Sequence, residues 1–264
     1  MSNFSLAELC IAAGAEIFQD ETPEVFATLI GLVPRLAGSL AKKTFLPGLM
    51  MSDGEYYFVS EPVPVGPRGG YQPKREGQIG YERVFDLIAK GNRHAFVGPV
   101  QADRFGQMNL SVIGDYNKPR AALLGVRGFP GNTVNNRTSM FFASHNTRAL
   151  VSGEVDMVSG AGYNRDRYPE GKFPPGLDHR RIITNLCVMD FEGADHAIRV
   201  RSLHPGVKIE EVIENTGFEL VYADTIAETP APTDEQLAIL QVLDPHNLRA
   251  TIFKGNPAGI RGED

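Results

Sequence analysis

The sequence predicts an α/β fold in which a largely parallel sheet is covered by helices. Helical and strand-like segments alternate from the N-terminus, as in βα units. One later segment is a nearly continuous apolar run, as expected of a strand covered on both faces. Stretches rich in proline and glycine separate these segments. The 264 residues suit one large domain, and we assign positions 1–264 to it.

The first element is a helix that begins with a capping box formed by Ser5 and Glu8. Apolar residues at helical spacing follow this box. Positions 25–31, VFATLIG, then read as a buried strand. Positions 32–44, LVPRLAGSLAKKT, read as a second helix. A strand followed by a helix and a further strand is the unit from which parallel sheets are built.

The next segment, LPGLMMSDGEYYF, is an apolar run that stops at Ser52, Asp53 and Gly54. The end of a strand is where α/β enzymes place binding and catalytic groups. Ser52 does not lie in a GxSxG motif, so it gives no support for a self-contained serine hydrolase. Asp before Gly is also common in ordinary turns. The turn therefore reads either as part of an active site or as a structural turn only.

Positions 62–80, PVPVGPRGGYQPKREGQIG, are rich in proline and glycine. They read either as a domain linker or as a long functional loop. The helical pattern YERVFDLIAKG follows them, so the same architecture continues beyond the loop.

The second half of the chain contains more strands than helices. Short helices are expected in VKIEEVIENTG and in EQLAILQVL, the latter beginning with Thr233 and Gln236. We expect IITNLCVMDF to form a single buried strand. Further strands are expected in HAFVGPVQAD, NLSVIG, RAALLGV, MFFASH, ALVSGEVDMVSG and AIRVRSL.

Composition excludes several classes of function. The chain is 42% hydrophobic and 22% charged with a net charge of -6, so it lacks the basic footprint of a nucleic-acid-binding protein. No signal peptide and no transmembrane helix are expected, which predicts a cytoplasmic protein. The two cysteines, Cys10 and Cys187, lie in apolar surroundings and are expected to be buried thiols rather than a disulfide. No HxH, HExxH or CxxC motif occurs, so no metal site is expected.

The segment GVRGFPGNTVNNRT, positions 125–138, is a glycine-rich loop with several side-chain amides. Its GxxGxxG pattern alone is typical of a glycine turn. Amide and backbone N–H donors on a tight loop could instead hold an oxygen that becomes negative during a reaction. Both interpretations stay open at this point.

Three segments together resemble the β subunits of class I CoA-transferases. GPVQADRFGQMNL is similar to the family's Gly-Ala-x-Gln-Val-Asp-x-x-Gly-Asn-Leu segment, and RRIITNLCVMDF is similar to its strand of basic and apolar residues. LHPGVKIEEVIENTGFEL resembles the family's Pro-Gly-Val-x-x-x-x-Val-x-x-x-Thr-Gly-Phe ending, which is the most specific of the three. The resemblance implies an open α/β sheet and an active site between an α and a β subunit.

In this family the strand equivalent to the one before Ser52 ends in Ser-Glu-Asn-Gly, and its Glu attacks the thioester and carries CoA. Alignment on Gly54 places Ser52 at the Glu position and Asp53 at the Asn position. A shift of one residue would place Asp53 there instead. A serine without a base does not readily replace a carboxylate that forms an acyl anhydride. The resemblance therefore implies an active-site turn that has lost the CoA-carrying nucleophile.

The whole set of segments is most similar to the family's steroid ring-cleaving hydrolases. These enzymes hydrolyse a carbon–carbon bond in a cyclic β-keto CoA thioester during cholesterol breakdown. This resemblance implies a base that activates water and donors that stabilise the departing enolate. It implies no cofactor, since CoA is part of the substrate. It also implies a homologous α subunit, in a heterodimer or an α2β2 heterotetramer.

Two alternatives stay open: the β subunit of a 3-oxoacid or glutaconate-type CoA-transferase, and a non-catalytic partner of an active α subunit. For the hydrolase, our candidate catalytic residues are Ser52, Asp53, Arg127, Asn135 and Asn136. The candidate residues for contact with substrate or CoA are Gly54, Gln101, Gly125, Gly128, Gly131, Asn132 and Arg137.

Overall fold

The computed structural model describes residues 4–126 and 128–261. The helices are α1 Leu6–Glu16, α2 Leu32–Lys43, α3 Gly80–Ala89, α4 Phe129–Thr133, α5 Ile209–Glu214 and α6 Asp234–Leu243. The first seven strands are β1 Phe26–Ile30, β2 Met51–Ser52, β3 Tyr57–Val59, β4 Arg75–Gln78, β5 Arg93–Val97, β6 Gln101–Ala102 and β7 Met108–Asn109. The others are β8 Val112–Ile113, β9 Ala121–Ala122, β10 Arg137–Phe142, β11 Asp178–Thr184, β12 Cys187–Asp190, β13 Arg199–Leu203 and β14 Ala227–Glu228.

The chain divides into two compact units. The first unit comprises residues 1–97 and 229–264, and the second comprises residues 98–228. The proline- and glycine-rich segment 62–80 lies inside the first unit, so it does not connect the two. Our assignment of one domain to residues 1–264 is not tested by this division and stays a prediction.

The first unit is built on the parallel pair of β1 and β5, with α1, α2 and α6 packed together. Glycine permits close packing here, because a Cβ on Gly38 of α2 would lie 2.4 Å from Leu29 Cδ1 of β1. Strands β2, β3 and β4 form a separate antiparallel sheet. The predicted strand 25–31 and helix 32–44 are confirmed within one or two residues.

Both predicted capping boxes are present. Ser5 Oγ accepts a hydrogen bond from the Glu8 backbone at 3.3 Å, and Glu8 Oε2 accepts one from the Ser5 backbone at 2.8 Å. Thr233 and Gln236 make the same reciprocal pair at the start of α6. Each such cap contributes about 1 kcal/mol to helix stability.

The second unit contains a mixed sheet. Strands β10 and β11 pair in parallel, β12 and β13 add in antiparallel orientation, and β14 pairs with β13 in parallel. Together with the parallel pair of the first unit, this confirms the α/β class with mostly parallel strands flanked by helices. Among the described residues, no helix is long and apolar enough to cross a membrane.

Two strand predictions for the second unit are wrong. IITNLCVMDF is not one strand: it forms the end of β11 and all of β12, which pair with each other. The Thr184 hydroxyl makes this tight turn possible by accepting hydrogen bonds from the backbone of Leu186 at 3.0 Å and Cys187 at 3.1 Å. A hairpin whose two strands are both buried has the same continuous apolar pattern as one long strand.

The segment ALVSGEVDMVSG, positions 149–160, is the second expected strand that does not form. It makes two isolated bridges instead, Ala102 with Leu150 and Met108 with Gly160. Its apolar positions Leu150 and Val155 are buried without a ladder of backbone hydrogen bonds. Serine and glycine interrupt the alternation that a continuous strand requires.

Candidate active site

The turn after β2 lines a pocket of about 500 Å³ in the first unit. Ser52, Asp53, Gly54 and Glu55 form one wall, and β1 contributes residues 26–29. Part of the 62–80 segment also lines it, which favours the interpretation of that segment as a functional loop. The volume falls in the range of small-molecule sites. The sequence-predicted stop at the end of the strand therefore borders a cavity that can hold a substrate.

Asp53 is a buried turn residue. Its Oδ1 atom accepts hydrogen bonds from the backbone nitrogens of Glu55 at 2.9 Å, Tyr56 at 2.9 Å and Tyr57 at 3.1 Å. Burial alone would raise the pKa of Asp53, but these backbone donors and the charge of Arg68 outweigh it and lower the pKa. Asp53 is consequently a stable carboxylate with a weakened tendency to accept a proton.

The second carboxylate oxygen, Asp53 Oδ2, is buried and has no hydrogen-bond donor within the described part of the chain. The Arg75 Nε atom lies 3.7 Å from it, which is an ion pair without a hydrogen bond. Ser52 is half-buried in the same turn, and its Oγ accepts a hydrogen bond from the Gly54 backbone at 3.2 Å. Gly54 has φ +85°, a left-handed conformation that favours glycine.

Three arginines share this pocket with the turn. Arg68 pairs with Glu55 at 3.2 Å and donates to the backbone oxygen of Asp53 at 2.5 Å. Arg35 comes from α2 and Arg93 from the start of β5. No local signal in the sequence marks Arg35 or Arg93, because both are distant from the Ser52 turn along the chain and only the βα packing places them on one cavity.

The glycine-rich loop belongs to the second unit. Gly125 and Gly128 have φ +83° and +76°, which require glycine, and Gly128 precedes α4. Gly131 lies within α4 in an ordinary conformation, and a Cβ there would meet open space. Arg127 lies outside the described residues. The loop is therefore a turn into a short helix, whose role in catalysis stays a prediction.

The side-chain amides of this loop differ in exposure. Asn132 and Asn136 are 1% and 2% exposed, and Asn136 Nδ2 lies 3.4 Å from the Asn132 backbone oxygen. Asn135 and Arg137 are half-buried. Asn132 and Asn136, two of the residues predicted to contact substrate or the reacting oxygen, are therefore buried. Asn135 is the more accessible amide of the loop.

Gln101 lies in a buried polar network within the second unit. Its Oε1 atom accepts hydrogen bonds from Asn109 Nδ2 at 2.7 Å and from the Asp156 backbone at 3.1 Å. Asp103, two residues later, accepts from Gln107 Nε2 at 2.7 Å. Gln101 also lines a second pocket, of about 660 Å³. The GPVQADRFGQMNL segment is therefore held by its own polar residues, and a CoA contact for Gln101 stays a prediction.

The C-terminal motif is anchored by a buried histidine. His145 Nε2 lies 2.9 Å from Thr216 Oγ1, and His145 Nδ1 lies 3.0 Å from Thr184 Oγ1. Because the Thr216 hydroxyl already donates to the Val212 backbone oxygen, it accepts from His145 Nε2. The neutral ring carries its proton on Nε2, and burial lowers the pKa of His145 to about 4.

No family model matches the chain. Individual proteins and solved structures do match it, and they agree with one another. The IpdB subunit of the cholesterol ring-cleaving hydrolase from Rhodococcus jostii is 38% identical over 244 residues, which cover 92% of this chain and 94% of that protein. The β subunit of 3-oxoadipate CoA-transferase from Pseudomonas knackmussii is 32% identical over 257 residues, with 92% and 95% covered. The crystal structure of IpdAB from Rhodococcus jostii matches with a TM-score of 0.86 at 36% identity, covering 96% of this chain and 99% of that one.

The α/β fold and the pocket at the Ser52 turn define a subunit of the CoA-transferase type. Within that class, the chain belongs to the family of the IpdB subunits of cholesterol ring-cleaving hydrolases. The resemblance inferred from the three sequence segments is confirmed.

Proposed function

We propose that this chain is the β subunit of a hydrolase that opens the last steroid ring of a cyclic β-keto acyl-CoA in cholesterol catabolism. One observation carries the proposal: the pocket wall has Ser52 where the transferase glutamate would stand. The neighbouring carboxylate, Asp53, is fixed by three backbone donors to its Oδ1 atom. Neither Ser52 nor the backbone-bound Asp53 is therefore suited to carry CoA covalently.

The reaction needs water, a base and donors for an enolate. The base takes a proton from water, and the water oxygen bonds to the ring ketone carbon. The bond between that carbon and the α-carbon of the thioester then breaks, and its electron pair becomes the enolate. A proton delivered to the enolate carbon completes an acid and an open-chain thioester, so one water is consumed. No cofactor takes part in this sequence, because the thioester itself stabilises the enolate.

The base is better sought on the α subunit than on Asp53. A general base works best with a pKa near the working pH, and the pKa of Asp53 is lowered by its backbone donors. A carboxylate of the α subunit facing the Ser52 turn supplies the base in this proposal. Such a shared site makes the isolated chain inactive, and we expect an α2β2 assembly. A cytoplasmic location fits Cys10 and Cys187, two buried thiols that are not joined in a disulfide.

The runner-up is the β subunit of a CoA-transferase, favoured by the 32% identity to the β subunit of 3-oxoadipate CoA-transferase. An experiment with labelled water separates the two. The chain and its α subunit are purified together and supplied with the cyclic β-keto acyl-CoA in H₂¹⁸O. Hydrolysis places one ¹⁸O in the new carboxylate and leaves CoA attached to the product. Release of CoA to an added acid, with a CoA adduct on Ser52 or Asp53, would establish the transferase.

The third hypothesis, a non-catalytic β subunit, is tested by an assay of the isolated α subunit. Ring opening by the isolated α subunit at the rate of the complex would support that hypothesis.

Ser52→Ala in the complex is expected to keep substantial hydrolysis, since water is the nucleophile.

A further inference from the structure

Helix α3 differs from the other helices in its exposure. Each of the other five helices has at least one buried residue. None of the α3 residues whose side chains the structure describes is buried. The strand before it, β4, is exposed at all four of its positions. Helix α3 also lies outside the packed group of α1, α2 and α6, so the segment 75–89 is part of the surface of the first unit.

One side of α3 is apolar although much of it faces water. Val84, Leu87 and Ile88 share this side and are only half-buried. Phe85, next to them on the helix, is 62% exposed. Helices of about ten residues owe most of their stability to the packing of their apolar side, because they are marginal in isolation. Within the described part of the chain, this packing of α3 is incomplete.

An exposed tyrosine connects this side of α3 to the Ser52 turn. The Tyr56 backbone nitrogen donates to Asp53 Oδ1 at 2.9 Å, and its backbone oxygen accepts from the nitrogen of Ile79 at 2.9 Å. The Tyr56 hydroxyl would lie 3.7 Å from a Cβ on Gly80, the first residue of α3. Tyr56 is 42% exposed. We use the name α3 surface for the set Tyr56, Val84, Phe85, Leu87 and Ile88.

The α3 surface borders the pocket beside Ser52. Val84 lines this pocket of about 500 Å³, as does Ile79 just before the helix. The relatives that this chain matches are subunits. The proposed function, on which this inference rests, places a base of the α subunit against the Ser52 turn. An α subunit that reaches this turn must cover the adjoining rim of the pocket, and α3 forms part of that rim.

The charges beside the α3 surface favour a protein partner. Glu82 and Asp86 carry two negative charges on the polar side of α3, and Arg83 and Lys90 carry two positive ones; all four are exposed. Exposed apolar patches with such a mixed polar rim are typical of protein interfaces. A membrane or a nucleic acid would instead require an excess of positive charge.

We propose that the α3 surface is the docking surface for the α subunit, at the edge of the active site that the two subunits share. Phe85 is its anchor, because large aromatic side chains contribute much of the binding energy of interfaces. Tyr56 links the docked subunit to the backbone of the Ser52 turn. These side chains hold the subunits together and do not touch the reacting atoms.

An affinity measurement tests the α3 surface. Phe85→Ala should weaken the association of this chain with its α subunit by about 30-fold, equivalent to about 2 kcal/mol. Phe85→Asp should weaken it further, because it places an unpaired charge in the interface. Val242→Asp is the matched control, since Val242 is 67% exposed on helix α6 and does not line the pocket. Biolayer interferometry on immobilised α subunit gives the dissociation constants, and wild-type affinity in Phe85→Asp would overturn the proposal.

Photocrosslinking in the assembled complex tests the contact directly. Benzoylphenylalanine replaces Phe85 in one sample and Val242 in the control. Irradiation should join position 85 to the α subunit, while position 242 should give no such product. Attachment of position 85 to a second copy of this chain, or to no protein at all, would show that the α subunit does not cover the α3 surface.

Kinetics distinguish this proposal from the proposed function. Phe85→Ala should recover most of the wild-type kcat for ring opening when the α subunit is in excess of the dissociation constant, because Phe85 acts through assembly. A kcat that stays low at saturating α subunit would refute the docking role. If the wild-type complex opens no ring but Phe85→Asp still loses affinity for the α subunit, the proposed function fails and the docking surface stands.

Discussion

Asp53 Oδ1 lies 2.9 Å from the backbone nitrogen of Tyr56, inside the turn that carries Ser52. The same oxygen accepts from two more backbone nitrogens of this turn, those of Glu55 and Tyr57. One carboxylate oxygen thus fixes the backbone that borders the pocket. The second oxygen is buried beside Arg75. Because one oxygen holds the turn and the other is buried beside Arg75, we predict that Asp53 shapes the site and does not transfer protons in it.

Substitution of Asp53 tests that role. Asp53→Ala removes three charge-assisted acceptors at once and should lower the free energy of unfolding by about 2–3 kcal/mol. Asp53→Asn keeps a neutral acceptor and should cost about 1 kcal/mol, with most of the turnover of the complex preserved. Urea unfolding and steady-state kinetics measure the two effects. Near-complete loss of turnover in a well-folded Asp53→Asn complex would instead identify Asp53 as the base.

Asp115→Ala is the matched control for this pair. Asp115 also accepts from backbone nitrogens two and three residues later, at 2.7 and 3.2 Å, but it is exposed. Its removal should cost less than about 1 kcal/mol, because water can replace the lost acceptor.

The lowered pKa of Asp53 makes its contribution to stability depend on pH. Its stabilisation is present above the unfolded pKa of about 4 and is lost as the pH falls through the folded value.

The glycine-rich loop permits a test that separates catalysis from packing. Asn135 is half-buried, whereas Asn136 is 2% exposed. If Asn135 donates to the enolate or acyl oxygen, Asn135→Ala should slow turnover by about 10²–10³-fold with little change in stability. Asn136→Ala should mainly lower the melting temperature. Near-normal turnover in both variants would leave the loop with a structural role only.

Local signals in the sequence predict much of the fold. Ser5 with Glu8 and Thr233 with Gln236 are caps whose partners are three residues apart, and both form as expected. The hairpin at Thr184 is not predictable in this way, because a turn held by one hydroxyl leaves no glycine or proline in the sequence. Burial on both sides of that turn then hides the break in the pattern.

The sequence predicts the candidate site only where its residues are close together along the chain. The turn at Ser52 borders a pocket, as the end of the apolar run indicates. Sequence analysis does not single out Arg35 and Arg93, because they come together only in the shared cavity of the folded chain. Likewise, the pattern of amides in the glycine-rich loop does not reveal that Asn132 and Asn136 are buried.

Glycines in two motifs should respond differently to the same change. A Cβ on Gly217, next to Thr216 of the C-terminal motif, would lie 2.3 Å from the Ser152 backbone nitrogen and 2.6 Å from the Leu150 oxygen. These backbone atoms cannot move aside without disturbing the fold, so Gly217→Ala should destabilise it by several kcal/mol or prevent folding. Gly131→Ala is the control, since its Cβ meets open space within α4 and should stabilise by up to about 1 kcal/mol. Thermal unfolding of the two variants checks both signs, and equal melting temperatures would contradict the close approach at Gly217.

Two buried histidines should make the stability of the protein sensitive to acid. Burial lowers the pKa of both His145 and His179 to about 4, from an unfolded value of about 6.5. Between the folded and unfolded pKa values these histidines are protonated in the unfolded chain and neutral in the folded chain. The free energy of unfolding therefore falls as the pH is lowered. Each histidine contributes a slope of up to about 1.4 kcal/mol per pH unit in this window, and none above about pH 7.5.

His145→Gln isolates one half of this effect. Glutamine retains a donor and an acceptor for Thr216 and Thr184, which are the hydroxyl partners of the ring. Urea unfolding at about pH 8 gives the packing cost of the substitution, since both histidines are neutral there in both states. Between about pH 6.5 and 4 the slope of the variant should be smaller than that of the wild type by up to about 1.4 kcal/mol per pH unit, and His179→Gln should have an effect of similar size. An unchanged slope in His145→Gln would mean that the folded protein tolerates a charged ring beside Thr184 and that burial does not lower the pKa of His145.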